Sequence, residues 1–131
     1  MFKVSEATAI ALHSMIYISN RENKAVSLKE IAEKFKISDN HLSKVLQRLV
    51  KEEFITSIKG PKGGFLIVPE KKEATFLEIY EAMEGKAKKH NCLFSSNQDD
   101  CQNCIMGNLV DKLNDEFLDH MKKTKISDYS L

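Results

Sequence analysis

A chain of 131 residues with 42% hydrophobic and 30% charged side chains is long enough to bury a core without disulfides. That composition is ordinary for a globular chain and carries no disorder signature, and no apolar tract approaches the roughly 20 residues that crossing a bilayer requires. Net charge is only +1, yet residues 1–72 carry 13 Lys/Arg against 8 Asp/Glu while residues 73–131 carry 7 against 11. This asymmetry suits a basic face for a polyanion joined to a part with another task.

The first residues, Met1-Phe2-Lys3-Val4-Ser5-Glu6, bring an acid early and lack a signal peptide's apolar stretch and cleavage site. The expected compartment is the cytoplasm, where thiols stay reduced, and the odd count of three cysteines argues against a disulfide framework. Over residues 4–20, apolar side chains at Val4, Ala7, Ala11, Leu12, Met15, Ile16 and Ile18 predict a well-buried helix. After a polar connector, Ser27-Leu28-Lys29-Glu30 has the form of a capping box, with Ser27 accepting from the first turn and Glu30 reaching back. The helix it opens stops near Lys36 and places Leu28, Ile31, Ala32 and Phe35 on one face. Ser38 then caps a second helix running to about Glu53, with Asp39 in the first turn, where the helix dipole favours negative charge. Its inward positions are Leu42, Val45, Leu46 and Leu49. Two amphipathic helices joined by so short a turn form a helix-turn-helix pattern, one that any helical hairpin shares.

Ile55-Thr56-Ser57-Ile58-Lys59 and Phe65-Leu66-Ile67-Val68 read as strands joined by Gly60-Pro61-Lys62-Gly63-Gly64. A hairpin directly after a helix-turn-helix is a wing, with Lys59 and Lys62 projecting from its tip. The glycine-rich tip is not a nucleotide-phosphate loop, because such a loop opens a helix and here a strand follows. Thr75-Phe76-Leu77-Glu78 is another capping box, opening a helix that ends at Gly85. Residues 86–104 lack periodicity and hold all three cysteines. From Ile105 a long helix is expected to carry Ile105, Leu109, Leu113, Phe117 and Met121 as an i, i+4 ladder, with Val110 and Leu118 beside it. That ladder is expected to pack on a second copy of the chain, since symmetric dimers suit palindromic sites. The expected fold is mainly α with a small β-hairpin wing, a winged helix-turn-helix plus a long C-terminal dimerisation helix. Residues 1–85 form the DNA-binding region, 86–104 the cysteine-bearing sensor loop and 105–131 the dimerisation helix and tail, all within one compact domain.

Outside the core stripe of the 38–53 helix lie Asn40, His41, Lys44, Gln47, Arg48 and Lys51, and four of these, Asn40, Lys44, Gln47 and Lys51, form one continuous polar stripe. Asn and Gln suit adenine edges and Lys or Arg guanine edges in the major groove. Asn40, His41, Lys44 and Gln47 are therefore assigned to bases, Arg48 and Lys51 to the backbone. Ser27 and Ser38, with the helix N-termini they cap, are further phosphate candidates, as are Lys59, Lys62 and Gly63 of the wing. The implied partner is double-stranded DNA carrying a palindromic operator, bound by a homodimer.

With these residues in view, the chain resembles the Rrf2 family of bacterial winged helix-turn-helix regulators, of the IscR and NsrR type. The likeness is most specific over Ser38-Asp39-Asn40-His41-Leu42 to Leu49 and over Ile58-Lys59-Gly60-Pro61-Lys62-Gly63-Gly64-Phe65, and it extends along essentially the whole chain. Lys62 stands where glycine is common in the family. The resemblance implies a dimeric repressor whose DNA affinity is controlled by an iron–sulfur cluster, of 2Fe–2S or 4Fe–4S type, sensing redox state, nitric oxide or cluster supply. Carried over by position, Cys92, Cys101 and Cys104 would be its ligands; thiolates are the natural ligands of such clusters. Eight residues and then two separate these cysteines, unlike the even spacing of the best-known sensing members. Gly107 stands where one member type has a histidine ligand and Ala9 near the aspartate of another, so Glu6, His13 and His90 are the candidates for a fourth ligand. His90, Cys92, Cys101 and Cys104 would alternatively make a Cys₃His zinc site.

Other function classes are weighed against these residues. A winged helix without a cluster would answer to structural zinc, a protein partner or a metabolite. A protein-interaction module is the alternative from a different class, since winged helices also bind proteins; the basic wing and polar stripe count against it. Enzymatic activity is not expected, because no nucleophile sits near a plausible base and the acids are scattered over helix faces.

Overall fold

The computed structural model describes residues 2–21, 23–89 and 104–131. Helix α1 (Glu6–Ser19) starts later than its apolar periodicity suggests, because Ser5 is its cap and accepts from the Thr8 N–H at 3.1 Å. Val4 is consequently left outside the helix and exposed. Helix α2 (Leu28–Phe35) ends at Lys36, which takes the left-handed conformation at φ 55°, and helix α3 (Asp39–Lys51) starts under the Ser38 cap. Glu53, expected at the end of α3, instead lies beyond it in a left-handed turn at φ 64°.

Strands β1 (Ile55–Ile58) and β2 (Gly64–Ile67) pair antiparallel, Ile55 opposite Ile67 and Ile58 opposite Gly64. The hairpin is pinned to the helices by a contact with no local sequence signal. Val26, just before α2, exchanges two backbone hydrogen bonds with Phe65, at 3.0 and 2.8 Å. That approach is close enough to require glycine at position 64: a Cβ there would lie 2.4 Å from the Val26 carbonyl oxygen.

Helix α4 (Phe76–Glu84) opens with the expected reciprocal capping box of Thr75 and Glu78. Met15 and Ile18 of α1, Ile31 of α2, Leu42, Leu46 and Leu49 of α3, Ile55 of β1 and Ile79 of α4 meet in one core. At roughly 1.5–3 kcal/mol for each large apolar side chain taken from water, this core is the main stabilising term. Among the described residues, no helix is long and apolar enough to cross a membrane.

Helix α5 (Leu109–Lys123) corrects one expectation: Ile105 lies before it and is 92% exposed. The ladder itself divides, Leu109 and Leu113 facing solvent while Met121 is buried beside Val110 and Asn114. The reason is geometric. Four residues exceed the 3.6 of one turn, so a strict i, i+4 ladder winds about 40° around the helix at each step. Its C-terminal part therefore reaches the molecule's own core, where Phe117 stacks on Phe2 at 4.9 Å and meets Tyr80 edge-on at 5.4 Å. After α5 the chain returns to the start of α4: Phe76 N–H donates to Thr124 O at 2.8 Å and Ile126 N–H to Ala74 O at 3.0 Å. Ile126 thereby enters the core.

Candidate nucleic-acid interface and cysteine segment

The inward stripe of α3, Leu42, Val45, Leu46 and Leu49, is at most 2% exposed, so the helix cannot rotate without breaking the core. That fixes the opposite stripe: Asn40, Lys44, Gln47 and Lys51 are all exposed, and His41 is half-buried at its edge. Ser38 Oγ accepts from the His41 N–H at 3.3 Å, and Gln47 Nε2 donates to Ser43 Oγ at 3.3 Å. Lys59 and Lys62 are exposed at the wing. Among the described residues no carboxylate pairs with Lys44, Lys51, Lys59 or Lys62. Four uncompensated cations along one helix and one hairpin make a field suited to phosphate. Gly63 has a steric role: a Cβ there would fall 2.1 Å from the Ile58 carbonyl oxygen, and its N–H closes the wing turn onto Gly60 O at 2.9 Å.

Two candidates have different surroundings from those expected. Ser27 caps α2 through the Glu30 N–H at 3.1 Å, but Glu30 does not reach back, which corrects the reciprocal box. Its carboxylate instead accepts from Tyr17 OH at 2.6 Å and lies 3.6 Å from Arg21, which stacks over the Tyr17 ring. The Glu30 carboxylate accepting that bond, with burial adding to it, raises the Tyr17 pKa above its ordinary value. Arg48 donates through Nε to Ala82 O at 3.1 Å and sits 3.6 Å from Glu52, tying α3 to the C-terminal end of α4. Only its i, i+4 relation to Glu52 was visible in the sequence; Ala82 lies 34 residues away.

Sequence reasoning also missed Glu84. Its carboxylate accepts from Ser5 N–H at 3.2 Å and Thr8 Oγ1 at 2.7 Å, closing the N-terminus of α1 onto the end of α4. Hydrogen bonds from Ser5 and then Thr8 hold its pKa below the ordinary carboxylate value.

Of the candidate ligands, His90, Cys92 and Cys101 lie outside the described residues. Cys104 is an exposed free thiol in the turn before α5. Glu6 and His13 line one shallow cavity of about 190 Å³ with Ala9, Ile10, Phe35 and Ile37, beneath the turn that leads into α3. His13 Nδ1 stands 2.6 Å from Ala9 O. A carbonyl only accepts, so Nδ1 is the donor, which in a neutral ring leaves Nε2 as the acceptor. Among the described residues, no group of three His, Cys, Asp or Glu is arranged to hold a metal.

A family model named Rrf2 and described as an iron-dependent transcriptional regulator matches residues 4–130. A protein of Aquifex aeolicus (strain VF5) named as an HTH-type transcriptional regulator is 30% identical over 129 residues, covering 95% of this chain and 88% of that protein. The regulator named BadM of Rhodopseudomonas palustris is 34% identical over 82 residues, 63% of this chain; the match spans about half (53%) of that relative's length. The structure of CymR, titled the global cysteine regulator of B. subtilis, superposes with a TM-score of 0.77 at 22% identity, covering 98% of this chain and 95% of that one. That likeness shows the shared winged-helix fold.

Proposed function

The chain belongs to the Rrf2 family of transcriptional regulators, and from that premise we propose that it is a dimeric, sequence-specific DNA-binding repressor controlled by an iron–sulfur cluster. The observation that carries the DNA reading is the α3 stripe: a helix locked by its core face presents Asn40, Lys44, Gln47 and Lys51 outward beside a cationic wing. Seated in a major groove, Asn40, His41, Lys44 and Gln47 read base edges, and Lys51, Lys59, Lys62 and the Ser27 and Ser38 caps address phosphates. Replacing Lys44 or Asn40 by Ala is expected to relax preference at particular base pairs by about 1–3 kcal/mol. Selection of bound duplexes from a random library measures this; unchanged preference in both variants refutes the docking.

The exposed Leu109 and Leu113 face of α5 is the dimer contact in this reading. Two copies then place their recognition helices on half-sites about 34 Å apart.

Three thiols within 13 residues, Cys92, Cys101 and Cys104, are a donor set suited to iron, and the family's iron-dependent description supports the same reading. Of the described fourth-ligand candidates, Glu6 and His13 line the same cavity, and a neutral His13 ring with Nδ1 held by Ala9 O would offer Nε2. When bound, a cluster supplies a centre that oxidants and nitric oxide attack. This chain's own part would be to hold it by the Cys92, Cys101 and Cys104 thiolates, the last of them in the turn before α5; His13 lies against Phe35 of the helix-turn-helix, whose ring is 5.5 Å away. Anaerobically isolated protein is expected to be coloured and to contain iron and sulfide, with each Cys→Ser change bleaching it. Colourless protein with stoichiometric zinc would assign the cysteines, with His90, to a zinc site.

A further inference from the structure

At 3.6 residues per turn, Arg48 lies roughly 80° round α3 from Asn40 on one side and Val50 roughly 80° on the other. Val50 shares a groove with Ile55, Thr56 and Ser57 of β1, so the wing occupies that flank. The opposite flank is closed by the end of α4, where Arg48 donates to Ala82. Just beyond, the chain passes Gly85 and presents Lys86 and Lys88. Lys3 reaches the same place, because Glu84 holds the adjoining Ser5 N–H and Thr8 hydroxyl. Lys3, Lys86 and Lys88 line one cavity of about 290 Å³ with Phe2, Tyr80 and Glu84.

The acids at this place are already engaged. Glu84 caps α1, Glu81 accepts from the Ala87 N–H at 2.8 Å, and Asp115 pairs with Lys89. Among the described residues, no carboxylate pairs with Lys3, Lys86 or Lys88. The bond from Ala87 to Glu81 fixes the backbone between the two stem lysines, so their charges project from an anchored base.

We propose that Lys3, Lys86 and Lys88 form a second phosphate-contact surface that flanks the recognition helix on the side opposite the wing. The proposal rests on the DNA-binding reading and widens its footprint. A helix in the major groove has a phosphate strand along each flank; the wing addresses one side and the lysine stem the other. This also accounts for cationic residues placed outside the helix-turn-helix, in a segment that neither reads bases nor belongs to the core.

The test uses the full chain and a 40-base-pair duplex of mixed sequence, titrated by fluorescence anisotropy from about 50 to 200 mM salt. The Lys86→Gln/Lys88→Gln variant, which removes four lysines from the bound dimer, is expected to show a log affinity against log salt slope shallower by about 3.6, at about 0.9 per phosphate contact. Lys112→Gln/Lys122→Gln, which removes the same charge from α5, is expected to keep the wild-type slope. Both pairs are exposed, and melting curves confirm folding. A stem variant with the wild-type slope, while Lys59→Gln/Lys62→Gln lowers it, overturns the stem contact and leaves the DNA reading standing. An equal loss in the stem and α5 variants also overturns it, as an effect of total charge. A wild-type chain that binds no duplex at any salt concentration overturns both readings.

Discussion

Replacing Gly64 with alanine tests the junction between wing and helices. The added methyl would sit 2.4 Å from the Val26 carbonyl oxygen, 2.5 Å from its carbon and 2.9 Å from the Ser27 nitrogen, all backbone atoms. It would also have to hold φ at +149°, a region that L residues rarely adopt. Relief requires Phe65 to part from Val26, losing two hydrogen bonds of 3.0 and 2.8 Å. At about 0.5–1.5 kcal/mol for each bond and a further 1–2 for backbone strain, the loss is roughly 2–5 kcal/mol. For a chain this size, at about 4 °C per kcal/mol, that lowers Tm by roughly 8–20 °C. Urea denaturation should show a lower midpoint with unchanged slope, and DNA affinity should fall because the wing no longer holds its angle. Gly60→Ala is the comparison: its φ is also positive, at +109°, but nothing lies within 4 Å of the added atom. Equal stability of the two variants would refute the steric argument.

On α5, Leu113→Lys places a charge on an exposed face and is expected to give folded monomer in light scattering, whereas Val110→Lys, at a position 2% exposed, is expected to unfold the chain. Folded Leu113→Lys protein with the wild-type mass would show that this face is not the dimer contact. Arg48→Ala loses the Ala82 carbonyl bond and should cost about 0.5–1.5 kcal/mol of stability. It should change the salt slope of DNA binding less than Lys51→Ala does; the reverse order would return Arg48 to the phosphates. Glu84→Gln should destabilise the chain at pH 7 by less than about 1 kcal/mol, because the carboxylate is exposed to solvent screening. The Glu84 pKa is lowered in the folded chain, so its contribution is present above the unfolded carboxylate value and is lost as pH falls through the folded one. Denaturation midpoints of wild type and variant should therefore converge in acid, and a constant gap would contradict the assignment.

Features written in short-range chemistry were legible in the sequence itself. The Thr75–Glu78 box, the Ser38 cap and the α3 core stripe each need only three to seven neighbouring residues to specify them, and all are present. Features decided by distant partners were not. Ser27 and Glu30 have the spacing of a reciprocal box, but Tyr17 and Arg21 compete for the same carboxylate and win it. The pairing of Val26 with Phe65 joins segments 39 residues apart through backbone atoms, which leave no side-chain pattern. The α5 ladder failed for another reason: its spacing was real, but an i, i+4 row is not straight on a helix of 3.6 residues per turn.

The return of the chain from α5 to the start of α4 has an entropic consequence. Ala74 and Ile126 are hydrogen-bonded to each other, so the excursion between them begins and ends at one point while Ile79, Ala82 and Glu84 pack it back on α1 and α3. The helix-turn-helix and wing lie wholly outside that excursion. Its closure entropy grows only slowly with length, by about 0.6 kcal/mol for each doubling of a flexible chain, and the burial of Ile79 and Ile126 offsets it.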